Sequence, residues 1–140
     1  MSKLIFPFAS SREHYRNKVA FLWCSDQRFE DLREAFKKAN DLEMPDPIII
    51  PGGAKVLADP KDPRDRDFVL EQIELLRGHG FDKLCIMVHN ECAACAGVAD
   101  EPEFYEKMLR EAAKVIRERI PDLKVVLLFA DFDGLHEIEQ

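Results

Sequence analysis

The chain lacks the features of a membrane-bound or secreted protein. No stretch of it approaches the roughly 18 consecutive apolar residues that are needed to span a bilayer. Its first 11 residues hold one lysine and a few apolar side chains interrupted by Pro7. They therefore offer neither the apolar core nor the cleavage site of a signal peptide. We expect a cytoplasmic protein that has no membrane partner.

Basic charge is also scarce. The sequence has 20 Lys and Arg residues against 27 Asp and Glu residues, which gives a formal net charge of −7. A surface with this charge repels a phosphate backbone, so we expect no nucleic acid as a partner. The glycine-rich motifs of nucleotide-binding loops are missing too. Gly52 and Gly53 are therefore interpreted as a plain turn.

What the chain does contain favours one folded domain. Of its 140 residues, 46% are hydrophobic, which is enough to build a core and to exclude global disorder. No internal repeat, low-complexity tract or linker divides it. We predict a single domain over residues 1–140, which begins with an irregular N-terminal arm over residues 1–17.

Apolar strands and amphipathic helices alternate along the chain. Strand-length apolar runs, typical of strands that are covered on both faces, occupy residues 19–24, 47–51, 84–88 and 124–129. Between them, apolar residues three and four apart predict helices over residues 29–39, 63–78 and 101–120. Asp100 and Glu103 have the spacing of a capping box for the last helix. The pattern predicts an α/β fold with a mostly parallel four-stranded sheet, helices on both faces and a possible short edge strand from residues 131–140.

Reactive side chains stand at the ends of the first and third strands. Cys24, Asp26 and Arg28 come at the end of the first strand, and His89 and Cys92 at the end of the third. If these strands are neighbours, the two thiols and the imidazole converge into a ligand set that zinc prefers. Water or Asp26 could take the fourth position. Alternatively, Arg28 could hold Asp26 in a bidentate ion pair and leave the metal open.

Two further cysteines have other interpretations. Cys95 forms a Cys-x-x-Cys pair with Cys92, a spacing that is also typical of redox sites. A redox pair needs neither Cys24 nor a histidine, so Cys95 is interpreted either as a small buried apolar residue or as a spare thiol beside the metal. Cys85 lies within the third strand and is expected in the core. In a reducing cytosol, grouped cysteines are more often metal ligands than disulfide partners.

The two motifs resemble those of the β-class carbonic anhydrases. The signature of that family is Cys-x-Asp-x-Arg after the first strand and His-x-x-Cys after the third, and the order of elements over about residues 19–129 is also similar. The resemblance implies a strand order of 2-1-3-4, with zinc held by Cys24, His89 and Cys92. It further implies that Asp26 and Arg28 form a catalytic dyad that gates the site.

The activity implied by the resemblance is the reversible hydration of CO2 to bicarbonate, through attack by zinc-bound hydroxide. The family also implies a homodimer or a higher homo-oligomer, and the apolar side chains of the arm favour the same conclusion because they need burial. Ala93 departs from the family, which usually has glycine there. Two alternatives stay open: a hydrolase of carbonyl sulfide or carbon disulfide on the same fold, and a non-catalytic zinc-binding protein.

Overall fold

A computed structural model describes residues 2–97 and 100–140 of the chain. The strands are β1 (Val19–Cys24), β2 (Asp46–Ile50), β3 (Lys83–His89), β4 (Lys124–Ala130) and β5 (Leu135–Ile138). The α-helices are α1 (Glu30–Ala39), α2 (Lys55–Ala58), α3 (Pro63–Leu76) and α4 (Pro102–Arg119). Single 3₁₀ turns cover Gln27–Phe29, Arg77–His79 and Ala93–Cys95. The alternation of strand and helix follows the prediction, with the short α2 as an addition.

All the strands belong to one sheet. Its order is β2-β1-β3-β4-β5, and β1 to β4 run parallel while β5 pairs with β4 in the antiparallel direction. The predicted mostly parallel sheet, the order 2-1-3-4 and the extra edge strand are therefore confirmed. Because β1 and β3 are neighbours, their carboxyl ends lie side by side.

Helices cover both faces of this sheet. Phe36 of α1 packs against Phe21 of β1, with ring centroids 6.1 Å apart. Tyr105 of α4 stacks on Phe129 of β4 at 5.4 Å. The strand register places Phe21 level with Val126, three residues before Phe129, so the two phenylalanines point to opposite faces. This arrangement confirms the prediction of helices on both faces.

The second strand is less buried than its sequence predicts. Residues of β1 are buried throughout, whereas Ile49 of β2 is 38% exposed. The physical reason is position, since β2 lies at the edge of the sheet and the described residues place no strand beyond it. Pro47 is compatible with an edge strand, because the N–H that proline lacks is not needed for hydrogen bonds to a further strand.

The start of α3 follows its sequence signals. Asp62 occupies the N-cap and accepts the backbone N–H of Arg64 at 2.9 Å, and Pro63 is the first helical residue. The helix ends at Leu76, and one 3₁₀ turn leads to Gly80 at a φ of 100°. Among the described residues, no helix combines the length and apolar character that would let it cross a bilayer.

The predicted capping box of Asp100 and Glu103 is wrong. The helix α4 begins at Pro102, and no side chain of the described residues caps it. Asp100 accepts instead the backbone N–H of Glu91 at 2.8 Å and the hydroxyl of Tyr105 at 2.5 Å. The spacing of Asp100 and Glu103 predicted a cap, but the fold brings the backbone N–H of Glu91 close to Asp100. The carboxylate of Asp100 bonds this N–H instead of the N–H groups at the start of α4.

A buried carboxylate fastens the arm to the sheet. Asp46, with a side chain that is 1% exposed, accepts hydrogen bonds from the Tyr15 hydroxyl at 2.6 Å, Asn17 Nδ2 at 2.9 Å and His79 Nδ1 at 2.7 Å. Burial alone would raise the pKa of Asp46, but these hydrogen bonds outweigh it and lower the pKa. The four residues tie together the amino ends of β1, β2 and β3.

We expect Asp46→Ala to destabilise the protein by about 3 kcal/mol at pH 7, because one buried donor, Asn17, and two partly buried donors, Tyr15 and His79, lose their acceptor. Since the folded pKa of Asp46 lies below its unfolded value, its contribution is present above about pH 4 and disappears as the pH falls through the folded pKa. Urea unfolding across this pH range measures both effects. Asp122→Ala, which breaks an exposed ion pair with Arg77, is the control and should cause no comparable loss.

Candidate metal centre

Three side chains with metal-binding atoms meet at the carboxyl edge of the sheet. Cys24 ends β1 and His89 ends β3, so the pairing of these strands brings them together. Cys92 follows three residues after the end of β3, just before a 3₁₀ turn. The ligand atoms of the three residues all lie within 4.8 Å of one another, and all three side chains are buried. The structure thus brings together the three residues that the sequence singled out.

The orientation of His89 suits a metal ligand. Its Nδ1 lies 2.6 Å from the carbonyl oxygen of Asn90, so we assign the proton to Nδ1 and the lone pair to Nε2. This Nε2 is buried, and none of the residues that the structure describes forms a hydrogen bond with it. A buried acceptor without a partner is unfavourable, and a metal ion would satisfy it. The Cys-His-Cys donor set and this unpartnered nitrogen both fit a divalent ion such as zinc.

Neighbouring groups change the pKa of the Cys24 thiol and form a hydrogen bond with its sulfur. The adjacent Cys92 thiol and burial raise the pKa of Cys24 to about 12. The backbone N–H of Gly52 donates to Cys24 Sγ at 3.3 Å. A cation between the two sulfurs favours their ionised forms, because thiolates are the metal-binding species. Metal binding at this cluster would therefore release protons.

The turn of Gly52 and Gly53 brings backbone close to the cluster. Both residues have positive φ values, 87° and 55°, which L side chains rarely adopt. A Cβ at Gly53 would lie 2.3 Å from the carbonyl oxygen of Met87 in β3. Glycine is therefore required at residue 53, and the turn can place the Gly52 amide against Cys24.

Asp26 and Arg28 form an ion pair at the edge of the cluster. Arg28 Nη2 lies 2.7 Å from Asp26 Oδ2, and Arg28 Nε lies 3.1 Å from Asp26 Oδ1. The guanidinium lowers the pKa of Asp26 to about 2. Asp26 Oδ2 is 3.7 Å from His89 Nε2. Of the two arrangements considered for Asp26, the structure therefore contains the one in which Arg28 holds the carboxylate.

Sequence reasoning missed the residues that shape the loop after β3. Glu91 has a φ of 53°, and both of its backbone polar atoms are bonded: its N–H to Asp100 and its carbonyl to Arg28 Nη2 at 3.1 Å. Tyr105 donates to the same oxygen of Asp100 and is buried. These contacts hold Cys92 near its partners. The sequence signal for this contact is Asp100, a carboxylate just before α4. A helix cap gives the same signal, so the sequence does not distinguish the two.

The other two cysteines lie outside the three-residue cluster. Cys85 is 3% exposed within β3, where burial raises the pKa of its thiol to about 11, and it lies in the core as expected. Cys95 is buried as well, and its backbone N–H donates to the Cys92 carbonyl at 2.9 Å. All four cysteines of the chain carry free thiols.

Comparison with known proteins identifies the family. Residues 14–139 match the family model described as "Putative carbonic anhydrase". The chain belongs to this carbonic anhydrase family. The resemblance that the two sequence motifs predicted is thus confirmed at the level of the family.

Relatives and solved structures of this carbonic anhydrase family agree with the assignment. An uncharacterized protein of Rickettsia bellii (strain RML369-C) is 26% identical over 150 residues, which cover 96% of this chain and 92% of that protein. The carbonic anhydrase of Streptococcus mutans is 18% identical, with a TM-score of 0.58 over 94% of this chain and 88% of that chain. A beta-carbonic anhydrase of Trichomonas vaginalis is 14% identical, with a TM-score of 0.59 over 94% and 87%. At these identities the structural likeness shows the fold.

We expect the protein to bind one divalent metal ion per chain at the cluster. Titration with Co²⁺, followed by the thiolate-to-metal absorption band, measures affinity and stoichiometry. Cys92→Ser should weaken binding by about 100-fold or more, because a ligand and its negative charge are lost. Cys85→Ala is the matched control for a buried cysteine and should bind as tightly as the natural chain. Equal losses in the two variants would contradict this assignment of ligands.

Proposed function

We propose that the chain is a zinc-dependent carbonic anhydrase of the β class, which interconverts CO2 and bicarbonate. The observation that carries this proposal is the buried cluster of Cys24, His89 and Cys92 beside the ion pair of Asp26 and Arg28. The cluster has the donor chemistry of a zinc site, and the pair places a carboxylate against it. Family membership and fold support the same activity.

The proposed ligands fit a catalytic rather than a purely structural metal. Two thiolates and one imidazole supply three donors, which leaves one position of a tetrahedral ion for a small molecule. Bound zinc would supply a Lewis acid that makes water nucleophilic near neutral pH. The thiolates of Cys24 and Cys92 donate more charge than imidazoles do, so we expect a working range on the alkaline side.

The ion pair with Arg28 determines the protonation state of Asp26, and with it the proposed role of Asp26 in catalysis. Because Arg28 lowers the pKa of Asp26 to about 2, the carboxylate is ionised at every physiological pH. Asp26 therefore acts as a hydrogen-bond acceptor that orients the attacking water toward CO2. The bidentate contact from Arg28 keeps Asp26 turned away from direct ligation. Both are the proposed catalytic residues.

We expect Arg28→Ala to lower the rate of CO2 hydration by about 10- to 100-fold, because Asp26 loses the contact that orients it. Arg28→Lys should restore only part of the rate, since an ammonium lacks the bidentate geometry. Stopped-flow hydration with zinc-loaded protein is the measurement. Arg64→Ala provides the matched control, because Arg64 makes the same contacts to Asp62 two residues earlier, far from the cluster in sequence and on the surface.

The same assay separates the competing functions. A full hydration rate in Arg28→Ala would contradict the role of the ion pair, and Cys24→Ser should abolish turnover. Zinc-loaded protein that releases sulfide from carbonyl sulfide or carbon disulfide, but leaves CO2 untouched, would replace the proposed substrate. Stoichiometric zinc without any of these reactions would identify a non-catalytic zinc-binding protein.

We further propose that two copies of the chain pair through the N-terminal arm. The arm exposes a run of large apolar side chains at 75–86%, namely Leu4, Ile5, Phe6 and Phe8. Exposed apolar groups in such a run are unfavourable in water and favour a partner. Three of the four charged side chains in residues 1–17 are basic, whereas the whole chain has a net charge of −7. The arm therefore complements the acidic body of a second copy, and two beta-carbonic anhydrases of Sordaria macrospora form tetramers.

Deletion of residues 2–11 should convert the dimer into a monomer, because it removes the apolar run while leaving Tyr15 and Asn17 bonded to Asp46. Sedimentation velocity distinguishes the two forms, given a chain mass of 16.1 kDa. Phe68→Ser, which alters an exposed apolar residue of α3, is the control and should stay dimeric. A natural chain that sediments as a monomer would refute the pairing.

We also propose a cytoplasmic location, which the need for reduced thiols favours. The proposed ligands Cys24 and Cys92 must be reduced to bind zinc, and their sulfurs lie close enough for oxidation to compete with binding. A reducing compartment preserves both thiols.

A further inference from the structure

Phe132 covers the guanidinium of Arg28 at the edge of the candidate metal centre. It lies in the turn between β4 and β5, and its ring centroid is 5.3 Å from Arg28 Cζ. Phe29 approaches the same guanidinium at 5.9 Å. Both distances are within the range of cation–π attraction. Arg28 is thus contacted by two aromatic rings in addition to Asp26.

These rings continue inward to a proposed metal ligand. Phe132 packs against Phe29 with centroids 5.5 Å apart, and Phe29 packs against His89 at 4.4 Å. Phe29 is 2% exposed, whereas Phe132 is 56% exposed. Phe132 is therefore the solvent-facing end of an aromatic row that runs beside the ion pair.

A bonded turn places Phe132 over Arg28. Asp131 Oδ1 accepts the backbone N–H groups of Asp133 at 2.8 Å and Gly134 at 2.9 Å, and Asp131 Oδ2 lies 2.8 Å from His136 Nε2. The backbone N–H of Asp131 also donates to the carbonyl of Gly134 at 3.0 Å. The backbone of the turn is therefore held by its own hydrogen bonds, independently of where the Phe132 ring packs.

Burial does not explain a phenylalanine at this position. More than half of the Phe132 side chain is exposed, so its contribution to the core is small. Arg28 is itself 48% exposed, so water competes with Asp26 for its guanidinium. A ring over the guanidinium removes water from one face and restricts its rotation. The ring thereby strengthens the ion pair where the proposed chemistry needs a fixed carboxylate.

We propose that Phe132 is a positioning residue, which holds the Arg28 guanidinium in the orientation that fixes Asp26. Its importance for catalysis rests on the proposed function, whereas its effect on Arg28 does not. A cation–π contact at an exposed site is weak, so we expect Phe132 to change the equilibrium between the bonded and released orientations of Arg28 by about two- to five-fold.

The first test measures Arg28 directly by NMR. The signal of the Arg28 Nε–H is assigned by its loss in Arg28→Lys. Its rate of hydrogen exchange should rise about two- to five-fold in Phe132→Ala. Phe132→Tyr should restore protection, and Phe132→Leu should restore less, because leucine has volume but no aromatic ring. The Nε–H of Arg64, bonded to Asp62 in the same geometry, is the control within each sample and should not change. Unchanged exchange at Arg28, or full rescue by leucine, would overturn the proposal.

The second test asks whether Phe132 acts through Arg28. In zinc-loaded protein, Phe132→Ala should lower kcat/KM for CO2 by about two- to five-fold, and it should have no further effect in an Arg28→Ala background. Additive losses would overturn the positioning role. A protein that binds zinc but leaves CO2 unchanged would instead refute the proposed function, and the exchange of the Arg28 Nε–H would still decide the role of Phe132.

Discussion

The parallel pairing of β1 and β3 at the centre of the sheet is the interaction on which the candidate site depends. Leu22 lies level with Ile86, and this register brings Cys24 near His89, although many residues separate them in the chain. Both strands are buried on both faces, and a shift by one residue would turn every side chain to the other face and disrupt the packing on each. The packing of the core thus aligns the ligand atoms.

The two ends of the sheet handle buried polar groups in different ways. At the amino end, Asp46 is balanced by three hydrogen-bond donors and needs nothing further from outside the chain. At the carboxyl end, His89 Nε2 has no hydrogen-bond partner within residues 2–97 and 100–140, and the pKa of the Cys24 thiol is raised. The carboxylate of Asp46 is satisfied within the fold, whereas the carboxyl-end cluster combines an imidazole lone pair with two nearby thiols, and this donor set is the physical basis for proposing a metal there.

The residues around the cluster of Cys24, His89 and Cys92 fix the position of the loop that carries Cys92. Asp100 and Arg28 each bond one backbone atom of Glu91, so the loop that carries Cys92 is held from both sides. Arg28 also bonds Asp26 and lies under the ring of Phe132. Arg28 therefore contacts the loop that carries Cys92, the carboxylate of Asp26 and the β4–β5 turn.

The sequence by itself determined the elements and the ligand candidates. Strand β1 has the predicted bounds and α3 begins at its predicted cap, because apolar periodicity and capping are local properties. The motifs at the strand ends also predicted which side chains meet. Only the tertiary structure decided that Asp100 bonds Glu91 rather than the helix, that Ile49 is partly exposed at an edge, and that Phe132 covers Arg28. Each of these depends on contacts between distant parts of the chain, which local patterns do not encode.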